Sequence, residues 1–187
     1  VLPLVDLAYQ GLGSGLEEDA YGARAVLAAV PEALVAYSCD KNFGLYPDRV
    51  GALYIYAQDG EQLARALSNG HTLARSAWSM PPDHGAAAVR IVLDTPELRA
   101  DWDAEVGEMR DRINRIRGQV AAADPRLAYI GKQFGMFSML PLSREKVVQL
   151  RESRAIYMAD SGRFNVIGMA DAAVDRFIAA VVEAMNG

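Results

Sequence analysis

Residues 95–124, TPELRADWDAEVGEMRDRINRIRGQVAAAD, constrain the fold more than any other stretch: they read as one long amphipathic helix. Thr95 is placed to cap it. Pro96 takes the first helical position, where a missing N–H costs nothing. Leu98, Trp102, Val106, Met109, Ile113, Ile116 and Val120 recur at helical spacing and mark its apolar side, opposite a densely charged face. A helix this long often bridges two lobes, so the chain is expected to divide near residues 95–100 into parts spanning 1–95 and 96–187.

Upstream, strand and helix patterns alternate. Apolar runs at residues 1–6, in ALVAYS and in RVGALYIYAQ read as strands. Helical patterns lie between and after them at residues 19–30, 61–79 and 84–93, with Leu63, Ala66, Leu67 and Gly70 at helix spacing in the second. Alternation of this kind predicts an α/β layer with a parallel or mixed sheet. Downstream, LAYIGKQFGMFSML and AIYMADSGRFNVIG read as hairpin-type strands. SREKVVQLRES reads as a helix capped by Ser143, and ADAAVDRFIAAVVEAMNG as a closing amphipathic helix.

Composition narrows the function classes. A net charge of −5 argues against binding nucleic acid, which needs basic surface. One cysteine, Cys39, leaves no internal disulfide and fits a reducing, cytoplasmic compartment. No apolar run approaches the roughly 20 residues of a membrane helix. His71, His84 and Cys39 lack metal-ligand spacing. GLGSG is not a dinucleotide fingerprint. The chain opens VLPLVDLAYQG, without methionine and already in a strand pattern, so it is expected to be part of a longer protein.

Four features could carry chemistry. Lys41 ends an apolar strand, the end at which α/β sheets bind ligands; lysines in such places are more often simply solvated. Arg49 and Ser38 are natural phosphate partners, although Arg49 could equally form a surface ion pair with Asp48 or another acid. Asp6 ends a strand with Tyr9 three residues on; the alternative role of a strand-end aspartate is to cap the next loop. Arg163 follows Gly162 and opens an apolar strand, where it could bind a carboxylate or mark an edge.

Taken in order, DLAYQG, YSCDKNFGLYPDRVG, WSMPPDHGA, QFGMFS and SGRFNVIG resemble the successive motifs of class I aminotransferases of the aspartate and aromatic amino acid type, which are fold type I pyridoxal phosphate enzymes. The resemblance covers the C-terminal half of a family member: the latter part of the large cofactor domain (1–95), then the linking helix and small domain (96–187). It implies transamination between an amino acid, aspartate or aromatic, and a 2-oxo acid such as 2-oxoglutarate. It also implies a ping-pong course through a Schiff base on Lys41, and a homodimer with shared active sites.

Position by position, the resemblance implies that Arg49 and Ser38 hold the cofactor's phosphate. Asp6 pairs with the pyridinium nitrogen and Tyr9 donates to the phenolic oxygen. Arg163 binds the substrate α-carboxylate, Phe137 lines the substrate side, and Arg75 reaches the neighbouring subunit's site to bind a distal carboxylate. The ring-stacking residue and the glycine-containing phosphate loop would lie upstream of Val1, so the isolated chain is expected to be inactive. Asp40 stands where the family carries a small hydroxyl residue, and an anion there must point away from the phosphate or weaken its binding. Cys39 replaces an aromatic, and AWSM departs from the more common NYSN. Two alternatives share the scaffold: a ligand-sensing domain without turnover and a related pyridoxal phosphate lyase.

Overall fold

The computed structural model describes residues 1–186. Its larger sheet contains β1 (Leu4–Leu7), β2 (Glu32–Ser38) and β3 (Gly51–Ala57) in that order, β1 parallel and β3 antiparallel to β2. The sheet is therefore mixed. Helices α1 (Leu16–Asp19) and α2 (Tyr21–Ala29) make the crossover from β1 to β2. In β2 the side chains alternate: Ala33 and Val35 are buried, whereas Leu34, Ala36 and Ser38 are only partly covered. Asp6 pairs with Ala36, so it shares the less covered face with Ser38.

The glycine-rich loop after β1 is organised from a distance. The Asp19 carboxylate accepts from the N–H groups of Gly11, Gly13 and Ser14 at 2.9, 2.8 and 2.8 Å. Gly11 has φ +90°, and a Cβ there would lie 2.7 Å from Val106 Cγ1, so no other residue fits.

Beyond β3, α3 (Gly60–Trp78) starts at Asp59, whose side chain accepts from Glu61 N and Gln62 N. Then come α4 (His84–Asp94) and α5 (Pro96–Ala123). The chain forms two compact units, Val1–Gly107 and a second from Glu108 onward, with the division falling inside α5. Of the expected apolar side of α5, Val106, Ile113, Ile116 and Val120 are buried, but Leu98 and Met109 are exposed.

In the second unit the expected long hairpin strands shrink to β4 (Phe137–Met139) and β5 (Arg163–Asn165), paired antiparallel. A 3-10 helix occupies Pro125–Lys132 instead. Asp124 caps it by accepting from Arg126 N, and Pro125 sits at its start. That local chemistry outweighs the β-favouring residues which follow. After β5 the chain turns at once into a 3-10 helix, Val166–Gly168. Helix α6 (Arg144–Arg154) begins as expected at Ser143, which accepts from Lys146 N. Helix α7 (Val174–Asn186) closes the core, where Ile116, Val120, Leu127, Leu150, Phe164 and Phe177 pack together. The Phe164 and Phe177 rings lie 5.2 Å apart.

Candidate active site

Parallel pairing brings the C-terminal ends of β1 and β2 to the same edge of the sheet, where α/β folds bind ligands. Tyr9 lies two residues past β1 and Lys41 three past β2. Lys41 Nζ stands 5.9 Å from the centre of the Tyr9 ring and 4.5 Å from that of Tyr46. Its side chain is 17% exposed, reachable but not freely solvated. Ser38 Oγ accepts from Asp40 N at 3.1 Å, and its own proton is left to donate. Arg49 closes the group. Its backbone is left-handed, with φ 55°, a conformation that a non-glycine residue holds at a cost of about 1 kcal/mol or more.

Asp40 is placed differently from the geometry that phosphate binding would favour. Its carboxylate is buried, and Oδ2 accepts a hydrogen bond from Arg49 Nη1 while lying 3.9 Å from Lys41 Nζ. The carboxylate faces these cations. Arg49 also donates to the Tyr46 carbonyl at 3.1 Å. Asp48, the other acid considered for Arg49, instead meets His84 at 3.1 Å.

Behind Lys41 the turn is locked. Asn42 is buried, and its Nδ2 donates to the Gln10 carbonyl at 3.2 Å and to the Tyr37 hydroxyl at 3.0 Å. The Asn42 carbonyl accepts from Trp102 Nε1 at 2.7 Å, and the Trp102 ring stacks on Phe43 at 4.5 Å. Sequence reasoning passed over Tyr46 and Asn42, whose signal was polar and aromatic residues close to the lysine, and placed Trp102 only on the apolar side of α5. Burial pushes the Cys39 thiol and the Tyr37 hydroxyl up from their ordinary values, so Cys39 is a poor nucleophile.

The second unit presents another cation. Register places Arg163 opposite Met139 and Asn165 opposite Phe137, and the Arg163 guanidinium lies 3.9 Å over the Phe137 ring. Arg163 is exposed, with no acidic partner among the described residues. Gly162, at φ +81°, turns the chain into β5; a Cβ there would meet the Leu140 carbonyl oxygen at 2.7 Å. The segment carrying Phe137 is held by Arg117, 2% exposed. Arg117 donates to the carbonyls of Ile130, Phe134, Gly135 and Phe137 at 3.4, 3.3, 2.6 and 2.7 Å. In the sequence it looked like one more charge on α5. Arg75 lies apart from the Lys41 group, exposed in the last turn of α3 and without an acidic partner among the described residues.

The Lys41 amine and the Arg49 guanidinium share the Asp40 carboxylate, and the Ser38 hydroxyl accepts from the Asp40 N–H. An amine of this kind can condense with a carbonyl, and a guanidinium and a hydroxyl are natural partners of a phosphate.

The sequence pattern of the family described as aminotransferase class I and II matches residues 1–181. The chain belongs to this family. Among curated aminotransferases, the tyrosine aminotransferase of Rhizobium meliloti (strain 1021) is 50% identical over 173 residues, covering 90% of this chain and 44% of that protein. The aspartate aminotransferase of Escherichia coli (strain K12) is 47% identical over 174 residues, covering 90% and 44%. A crystal structure of the aromatic-amino-acid aminotransferase of Burkholderia pseudomallei, covalently bound to pyridoxal phosphate, superposes with a TM-score of 0.92 at 39% identity, covering 98% of this chain and 47% of that one. The mixed α/β architecture is thus that of fold type I aminotransferases over about half of their length. The chain spans about half the length of the curated relatives it matches.

Proposed function

We propose that this aminotransferase-family chain is the C-terminal half of a cytoplasmic, homodimeric, pyridoxal-phosphate-dependent aminotransferase. It would exchange amino groups between aspartate or an aromatic amino acid and a 2-oxo acid such as 2-oxoglutarate. Residues 1–95 complete the cofactor domain; residues 96–187 form the linking helix and small domain. The observation that carries the reading is the Lys41 amine grouped with Tyr9, Asp40 and Arg49 at the ends of parallel strands. The relatives named above all carry the name of an aminotransferase.

Each residue then has a task. Lys41 would be the cofactor's attachment point, and its amine, when free, would be the base that takes the substrate Cα proton. Pyridoxal phosphate, when bound, supplies an electron sink for the charge left on Cα. Asp6 would hold a proton on the ring nitrogen and Tyr9 would donate to the phenolic oxygen. Ser38 and Arg49 would anchor the phosphate. Arg163 grips the substrate α-carboxylate with its planar fork, and Phe137 lines the substrate side. Arg75 serves the neighbouring subunit's site, where it meets a distal carboxylate.

The test uses the full-length protein that carries this chain. After incubation with pyridoxal phosphate and borohydride, peptide mass mapping should find the cofactor on Lys41. Lys41→Ala should lose that adduct and nearly all transfer from aspartate or tyrosine to 2-oxoglutarate, while keeping part of its cofactor affinity. An adduct on a different lysine, or full activity in Lys41→Ala, would refute the assignment.

A further inference from the structure

Asp40 is the acid of the turn that carries Lys41, and its side chain is 5% exposed. Oδ2 accepts from Arg49 Nη1 and lies 3.9 Å from Lys41 Nζ; Oδ1 is buried without a hydrogen-bond partner. One carboxylate therefore faces both cations. The two partners are held unequally. Asp40 is buried, whereas the Arg49 side chain is 72% exposed and has room to move. An incoming phosphate meets a guanidinium that is already engaged, with a fixed anion behind it. Two anions at one cation repel unless one is neutralised, and a buried carboxylate has no water to screen it.

We propose that Asp40 is an internal competitor for the cofactor's phosphate. It holds Arg49 while the site is free of phosphate, and it makes the phosphorylated cofactor bind more weakly and leave more readily than it would from the same cradle without the carboxylate. This rests on the reading that Lys41 and Arg49 receive pyridoxal phosphate. It extends that reading by giving the protein an exchangeable cofactor, selected less by its phosphate than the Arg49–Ser38 pair alone would select it.

The experiment compares the full-length protein with its Asp40→Ser and Asp40→Asn variants, each freed of cofactor and titrated with pyridoxal phosphate and, separately, with unphosphorylated pyridoxal, followed by absorbance. Both variants should bind pyridoxal phosphate about tenfold tighter than the parent, the effect of freeing one charged hydrogen bond. Their affinity for pyridoxal should change far less than their affinity for pyridoxal phosphate, because any effect of the carboxylate on the Lys41 amine is common to both compounds, whereas its hold on Arg49 bears only on the phosphate. An unchanged or weaker affinity for pyridoxal phosphate, an equal change for both compounds, or loss of pyridoxal binding in both variants would overturn the proposal. The last would mean that Asp40 holds the site together instead of opposing phosphate. If the parent attaches its cofactor at Lys41 and the variants show no gain, the competitor role alone fails. If the parent attaches none at Lys41, the functional reading fails with it.

Discussion

Arg75 and Arg163 are guanidiniums without an acidic partner among the described residues, and that freedom suits groups that wait for a carboxylate. Their proposed tasks differ, so their variants should separate. Arg75→Asp should reduce transfer from aspartate and glutamate by about 100-fold or more, the cost of breaking a buried charge pair being about 3–5 kcal/mol. Transfer from phenylalanine and tyrosine should fall far less, because a neutral ring never needed the charge. Steady-state kcat/KM on both groups decides it, and equal losses would remove Arg75 from side-chain recognition. Arg117 is the opposite case, a cation used wholly inside the protein. Burial pulls its pKa down, yet four carbonyls are its hydrogen-bond partners. Arg117→Ala would leave those acceptors unmet and should destabilise the fold by about 3 kcal/mol or more, read from the denaturant midpoint of the full-length protein. A change under about 1 kcal/mol would mean that water replaces the guanidinium.

Several elements in this chain begin where a side chain satisfies a free N–H group. Ser143 does so for α6, Asp59 for α3 and Asp124 for the 3-10 helix. Ser143→Ala should cost about 1 kcal/mol, with thermal unfolding as the measure. Asp124 adds a pH signature. Hydrogen bonds from Arg126 hold its carboxyl down to about 2 from an ordinary 3.8. A pKa depressed by folding contributes stability that is complete above the unfolded value and is lost as pH falls toward the folded one. That contribution should therefore be present above about pH 4 and fade toward pH 2. Asp124→Asn should flatten the acid limb of the stability curve in that window and leave the neutral region's slope unchanged. An identical acid limb in the variant would contradict this. The same capped turn explains the overturned strand expectation at residues 127–136: a run of apolar residues reads alike in a strand and in a tight helix, and only the cap decides.

At the scale of the whole molecule, several large apolar side chains are exposed. Leu4, Leu53 and Tyr54, on the outer strands β1 and β3, are 66%, 60% and 58% exposed. Trp78, the last residue of α3, and Met80, just beyond it, are 61% and 79% exposed. Outer strands with exposed apolar residues invite pairing with other chains. Expressed alone, residues 1–187 should self-associate and show no transaminase activity. Light scattering and an aspartate–2-oxoglutarate assay test this. A stable monomer that binds pyridoxal phosphate tightly and turns over would show that the half described here suffices.

Much of the candidate site was legible in order along the chain. Asp6 and Ser38 lie at the ends of strands, Tyr9 and Lys41 just after them and Arg49 just before one, and a strand's end is a local property written in period-two burial and the turn that follows. The helices were legible for the same reason, since spacing and caps act over a few residues. What only the tertiary structure decided involves contacts across long separations. Trp102 reaches Asn42 across 60 positions, and Arg117 collects carbonyls up to 20 residues away. Asp40 could have faced either way from its turn. The sequence shows an acid beside a lysine; only the fold, by bringing Arg49 back nine residues later in a left-handed conformation, turns that acid into a buried counterion. Local rules set where each element starts and stops, whereas which charges meet depends on how the backbone returns, and no window of neighbouring residues contains that.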